Sequence, residues 1–177
     1  MIQYKTTSSI DELKQIIALQ LSNLPQNLTD IEKKEQGFVT VQHSIEVLTK
    51  MHHTHPHIIA KHGEQVIGYA LSMSKIFRNE IPVLVPMFNE IDKSSKKEDN
   101  YILMGQVCID KNYRGKGIFR SLYEEMKNAF SNTYDAIITE IDANNTRSLN
   151  AHKAIGFKEL VIYKSNNQNW IIVYMDI

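Results

Sequence analysis

Cysteine is almost missing. Cys108 is the single one in 177 residues, which excludes an intrachain disulfide and suits a chain kept in a reducing compartment. An excess of one charge is missing too. Lys plus Arg number 20 and Asp plus Glu number 20, so no basic surplus is there to displace counterions from a nucleic acid, and no acidic surplus makes a solvating tail. No window approaches the about eighteen uninterrupted apolar residues that a spanning helix needs. The start, MIQYKTTSS, lacks the positive charge and apolar run of a secretory signal. These absences predict a cytoplasmic protein with neither a membrane nor a nucleic acid as partner. Internal repeats are also lacking, and the one strongly polar run, residues 92–100, reads as an exposed loop.

What is present suits a globular chain. Apolar residues make up 42% and charged residues 23%, and the length fits a single domain over residues 1–177. Residues 11–21 place Leu13, Ile16, Ile17 and Leu21 at helical spacing, and Thr29, Asp30, Ile31 and Glu32 form a capping box for a second helix. A third helix is expected over residues 44–51. From residue 57 the pattern turns to strands: 57–61 and 66–73 read as an antiparallel hairpin about a glycine-containing turn. Residues 81–88 are apolar, but Pro82 and Pro86 argue against a strand, so a packed loop is expected. Next come a buried strand over 101–109, a helix over 117–130 and a strand over 134–141, a crossover unit that implies parallel pairing. A helix over 146–155, capped by Asn145 and stopped by Gly156, and strands near 157–163 and 169–175 complete a mixed α/β sheet.

Chemistry concentrates in residues 110–120. Gly115 and Gly117 let the main chain turn closely, and the amides at the following helix start favour an anion, so the loop suits a phosphate or pyrophosphate. Lys111, Arg114, Lys116 and Arg120 add local positive charge. A Walker loop is absent, and Arg120 stands where a dinucleotide fingerprint has its third glycine. A plain tight turn is the competing reading.

With Arg114-Gly115-Lys116-Gly117-Ile118 and, downstream, Asn145 through Gly156-Phe157, the sequence resembles the GNAT superfamily of acyl-CoA N-acetyltransferases. Phe119 occupies the place of a family Gly or Ala. The resemblance implies a mixed, mostly antiparallel sheet of about six to seven strands flanked by about four helices, with one parallel pair splayed at its carboxyl ends. It also implies acetyl-CoA as donor. Main-chain groups of Val107 and Ile109 would hold the pantetheine arm, Arg114, Gly115, Lys116, Gly117, Ile118 and Phe119 would cradle the pyrophosphate, and Asn145 would touch the cofactor. Asn145 as a simple helix cap is the alternative from the local sequence.

The implied reaction is direct attack of a neutral amine on the thioester, with an amide near Cys108 or Ile109 stabilising the oxyanion. A lysine-like amine, with a reference pKa of about 10.4, needs a base or a water chain. Glu140 is the chosen base, with Asp142 and Tyr174 as other candidates. Many family members carry a tyrosine as general acid where this chain has His152, which is therefore the candidate acid, or else a helix-face residue that only orders the pantetheine or caps a backbone carbonyl. A role for Cys108 as nucleophile lacks a His/Asp partner pattern, so a buried thiol is expected. His53, His55 and His57 alternate as a zinc or nickel cluster would, but Pro56 breaks the segment, and no metal is expected. The acceptor is a small-molecule or protein amine, with residues 23–37 and 69–78 as candidate lining. Surfaces for a homodimer remain. A catalytically inactive CoA-binding sensor is the rival function.

Overall fold

The computed structural model describes residues 1–29, 31, 38–39, 41–97 and 99–177. The capping box expected at 29–32 rests on Asp30 and Glu32, which lie outside the described residues. In chain order the elements are β1 (Ile2–Thr6), α1 (Ile10–Ser22), α2 (Ile45–Thr54), β2 (Ile58–His62), β3 (Gln65–Met73), α3 (Val85–Ile91), β4 (Tyr101–Ile109), α4 (Ile118–Phe130), β5 (Ala136–Asp142), α5 (Thr146–Ala154), β6 (Lys158–Ser165) and β7 (Gln168–Asp176). The seven strands form a mixed, mostly antiparallel sheet in the order β1-β2-β3-β4-β5-β7-β6, with β4 and β5 parallel. The chain divides into two compact units, Met1–Met73 with Met104–Ala129, and Ser74–Leu103 with Phe130–Ile177.

In the first unit β1 pairs antiparallel with β2 from Ile2↔His62 to Thr6↔Ile58, and β2 pairs with β3 from Ile58↔Ala70 to His62↔Gln65. Every residue of β3 after Gln65 is buried, as a strand covered on both faces requires. α1 opens on Ser9, whose hydroxyl accepts from the Glu12 amide, while the Glu12 carboxylate accepts from the Ser8 amide. Ser9-x-x-Glu12 is thus a start signal that the periodicity alone places one residue late. Leu13, Ile16 and Leu19 follow on the buried face, each contributing about 1.5–3 kcal/mol by leaving water. α2 opens on Ser44, which accepts from the Val47 amide, and runs on through Thr54. It therefore absorbs His52 and His53 into its last turn, with His55 at the C-cap, so His53, His55 and His57 do not lie along one extended segment.

In the second unit the start of β4 runs parallel to β5 through Tyr101↔Ala136, Ile102↔Ile137 and Leu103↔Ile138. β5 then pairs antiparallel with β7 along its whole length, from Ala136↔Asp176 to Asp142↔Trp170. β6 and β7 close a hairpin whose turn residues, Asn166 and Asn167, take φ of 50° and 60°. Two consecutive left-handed residues make the turn that suits the twist of a tight hairpin, and asparagine tolerates that backbone. Residues 81–88, expected as a packed loop, instead form a 3-10 turn, Pro82–Leu84, and the start of α3. Pro82 and Pro86 both sit in the first turn of their elements, where the missing amide hydrogen has no intrahelical acceptor to lose. Met87, Phe88 and Ile91 are buried.

Candidate functional site

The end of β4 leads into a loop built almost wholly from its own main chain. Asp110 donates its amide to the Ile67 carbonyl at 2.8 Å, which fixes where the loop leaves β3. Its carboxylate caps the 3-10 turn Lys111–Tyr113 by accepting from the Asn112 amide at 2.8 Å. Gly115 and Gly117 then take φ of +72° and +78°. A Cβ built on either meets nothing within 4 Å. Backbone conformation, not crowding, therefore demands glycine here, and the loop is open on its outer side. Ser121 donates the first helical bond, to the Gly117 carbonyl at 3.1 Å. The first-turn amides, those of Gly117 and Ile118 included, have no acceptor inside α4, and the helix dipole adds to their pull on an anion.

Two cations of this loop, Arg114 and Lys116, bond main-chain carbonyls of the β4 end and the loop itself. Arg114 donates through Nε to the Ile109 carbonyl at 3.0 Å and through its guanidinium to Asn23 Oδ1 at 2.6 Å. Lys116 donates to the Asn112 carbonyl at 3.0 Å and lies over the Tyr113 ring, whose hydroxyl bonds His62 Nδ1 at 2.8 Å. Both side chains brace the loop. Asn23 in turn donates to the Leu19 carbonyl and accepts from the Val39 amide, so Arg114 is tied to the end of α1. On β4, Val107 and Ile109 are half-buried and Cys108 is buried. Burial pushes the Cys108 thiol up to about 12, which leaves it protonated and unsuited to nucleophilic attack. The fully buried Tyr69 donates to Gln106 Oε1 at 2.6 Å, and Gln106 donates to the Val41 carbonyl at 2.8 Å.

The second unit holds the remaining expected residues. Asn145 caps α5 by accepting from the Ser148 amide at 3.1 Å. His152 is 1% exposed, packs edge-on against Phe157 and donates from Nδ1 to the Ser148 carbonyl at 2.7 Å. Burial lowers its pKa to about 4, so the ring is neutral at pH 7 and its proton sits on Nδ1. Glu140 on β5 has the opposite displacement: burial raises it to about 7, partly offset by a hydrogen bond from the Tyr163 hydroxyl. Asp142 accepts from the Asn144 amide and from Gln168 Nε2, at 2.8 and 2.6 Å, which makes it a turn anchor. Tyr174 lies beneath Lys96 and Lys158.

The model of the Acetyltransferase (GNAT) family matches residues 21–157. The chain belongs to the GNAT family. Solved structures share the fold of this GNAT chain at low identity. The ribosomal-protein-S18-alanine N-acetyltransferase of Escherichia coli is 11% identical with a TM-score of 0.67, covering 100% of this chain and 94% of its own. A protein of Pyrococcus horikoshii is 18% identical with a TM-score of 0.68, covering 100% and 99%. The NatC complex bound to Gag peptide and CoA matches at 17% identity and a TM-score of 0.63, covering 99% and 98%. No curated protein matches.

In this GNAT chain the first unit brings together Val107, Cys108, Ile109 and the loop 114–119, and the second holds Glu140, Asn145 and His152. Gln106 and Tyr163 escaped the sequence reading, and Asn23, expected only as the start of the acceptor lining, is the partner of Arg114. A glutamine on a strand and a tyrosine on an outer strand carry no motif, and only the register of β5, β6 and β7 brings Tyr163 to Glu140. Among the described residues no group of three or more His, Cys, Asp or Glu is placed to hold a metal ion.

Proposed function

We propose that this GNAT chain is an acetyl-CoA-dependent N-acetyltransferase, one catalytic domain over residues 1–177, acting in the cytoplasm on a primary amine of a small molecule or a protein. The observation that carries this reading is the left-handed backbone at Gly115 and Gly117, open on its outer side where α4 begins. Such a cup offers main-chain donors to a diphosphate. A fold neighbour described as bound to CoA supports the same donor.

Acetyl-CoA brings an activated thioester, and the chain's own groups do the rest. The amides of Gly117 and Ile118 hold the diphosphate, with Arg114 and Lys116 keeping the loop in shape and Phe119 bordering it. The main chain of Val107 and Ile109 aligns the pantetheine arm, and an amide near Cys108 or Ile109 faces the developing oxyanion. Glu140 removes the ammonium proton of the acceptor, because a carboxylate of pKa about 7 is both ionised enough and basic enough near neutral pH. Asn145 keeps α5 capped and contacts the cofactor. His152 holds the last turn of α5 through Ser148. Its neutral ring, with the proton already donated to a carbonyl, favours this role over protonating the thiolate.

That same feature of His152 motivates a second reading, a CoA-binding sensor without turnover. Two measurements separate them. Calorimetry should show acetyl-CoA binding that Gly117→Glu weakens at least about tenfold by placing a charge in the cup; unchanged affinity contradicts the placement. Thiol release over a panel of amines should show turnover with at least one acceptor, whereas binding with no release across the panel selects the sensor.

A further inference from the structure

Among the described residues, the side chain shown bonding the Glu140 carboxylate is a phenol on another strand. β5 and β6 flank β7, with Glu140↔Ile172 and Tyr163↔Trp170 as cross-strand pairs. Ile172 and Trp170 are two residues apart on β7 and so share a face. Tyr163 reaches along that face and donates its hydroxyl proton to Glu140 Oε2. We propose that Tyr163 is the positioning residue of the Glu140 base: its hydroxyl fixes the carboxylate by one oxygen, so that Oε1 is the oxygen presented to the acceptor ammonium. This rests on the assignment of Glu140 as proton acceptor.

The surroundings are suited to that task. The Tyr163 phenol is raised above its ordinary range by burial, by its bond to Glu140 and by the carboxylates of Glu140 and Glu90. It therefore stays a donor through the whole working range. Glu90, on α3, is itself paired with Lys93 at 2.8 Å. Of the other polar groups along this face, Asp142 is bound by Gln168 and the Asn144 amide, and Tyr174 lies against Lys96 and Lys158. Ile172 supplies no charge. A hydrogen bond to the ionised form favours it, so Tyr163 holds Glu140 lower than burial alone would, at about 7, where roughly half of it is ionised at neutral pH.

The test is Tyr163→Phe, read by the pH dependence of kcat/KM and by the carboxyl 13C titration of Glu140 in the free protein. The expected result is an acid limb moved up by about one pH unit, a further loss of about tenfold on the acid side, a kcat that stays below wild type even at pH 9 because the carboxylate is no longer held by one oxygen, and a Glu140 titration moved in the same direction as the limb. A limb and a titration both left in place, in a protein with a wild-type unfolding curve, overturn the proposal. If Tyr163→Phe does not fold, the wild-type protein with ring-labelled tyrosine decides. A Tyr163 Cζ signal that shifts at the Glu140 midpoint supports the pairing, and one that ignores it refutes it. Glu140→Gln separates the premise from the inference. Wild-type turnover in that variant removes Glu140 as base, whereas an inactive Glu140→Gln beside an unmoved Tyr163→Phe profile removes only the role of Tyr163.

Discussion

His57 and His152 are buried as neutral rings with both their tautomers and their partners defined. His57 accepts at Nδ1 from the Ser72 amide and donates from Nε2 to the Leu48 carbonyl, while Thr7 exchanges bonds with the His57 main chain. Burial lowers both histidines to about 4 from 6.5. A depressed histidine is neutral in the folded protein while the unfolded chain already takes up a proton, so this stability is complete above pH 6.5 and is lost as pH falls towards 4. His43, His52 and His55 are lowered by burial in the same sense. Glu140 works the other way. Raised from 4.5 to about 7, it keeps its proton when folded and adds stability as pH falls through 7. Taking His57 and His152 against Glu140 alone, one carboxyl offsets one histidine and leaves a slope of the order of 1.4 kcal/mol per pH unit, to which His43, His52 and His55 add in the same direction. Urea midpoints should therefore drop between pH 6.5 and 4, and drop more steeply in Glu140→Gln. Midpoints flat over that window contradict the burial of the two rings as neutral groups.

At the scale of elements, single capping residues decide where helices begin. α5 depends on Asn145 for its first turn and on His152 for its last, where the His152 carbonyl accepts from the Ile155 and Phe157 amides. Asn145→Ala should lower stability by about 1 kcal/mol, and Asn145→Ser, which keeps a capping oxygen, should restore most of it. Chemical denaturation checks this, and acetyl-CoA affinity measured on the same two variants separates a cap from a cofactor contact. If Ser restores stability but not affinity, the side-chain amide itself is needed. The boundaries of α1, α4 and α5 were legible to within a residue or two, because their apolar spacing and terminal residues agree. α3 was not. Its prolines read as breakers in a linear pattern, and only their position in the first turn makes them compatible with a helix. β1 also passed unread, since four half-buried residues and the exposed Gln3 give no clean alternation, and their strand character comes from pairing with β2.

For the whole molecule, a ligand that binds only the folded state must raise its stability. Acetyl-CoA at a hundredfold excess over its dissociation constant should add about 2.7 kcal/mol. Thermal unfolding should show this in the wild type and much less in Gly117→Glu; equal shifts in both would place the binding elsewhere. No helix among the described residues is long and apolar enough to cross a membrane. The sequence by itself determined the family, the glycine loop before α4 and the order of most strands and helices, because glycine backbone freedom, caps and apolar periodicity act over a few neighbouring residues. Tertiary structure alone decided what the polar side chains do. It turned Arg114 and Lys116 into braces, fixed the proton of His152 on Nδ1 and joined Tyr163 to Glu140. The reason is physical: burial, and for Arg114 and Tyr163 a partner distant in sequence, set a side chain's charge and donor role, and these exist only once the chain has folded.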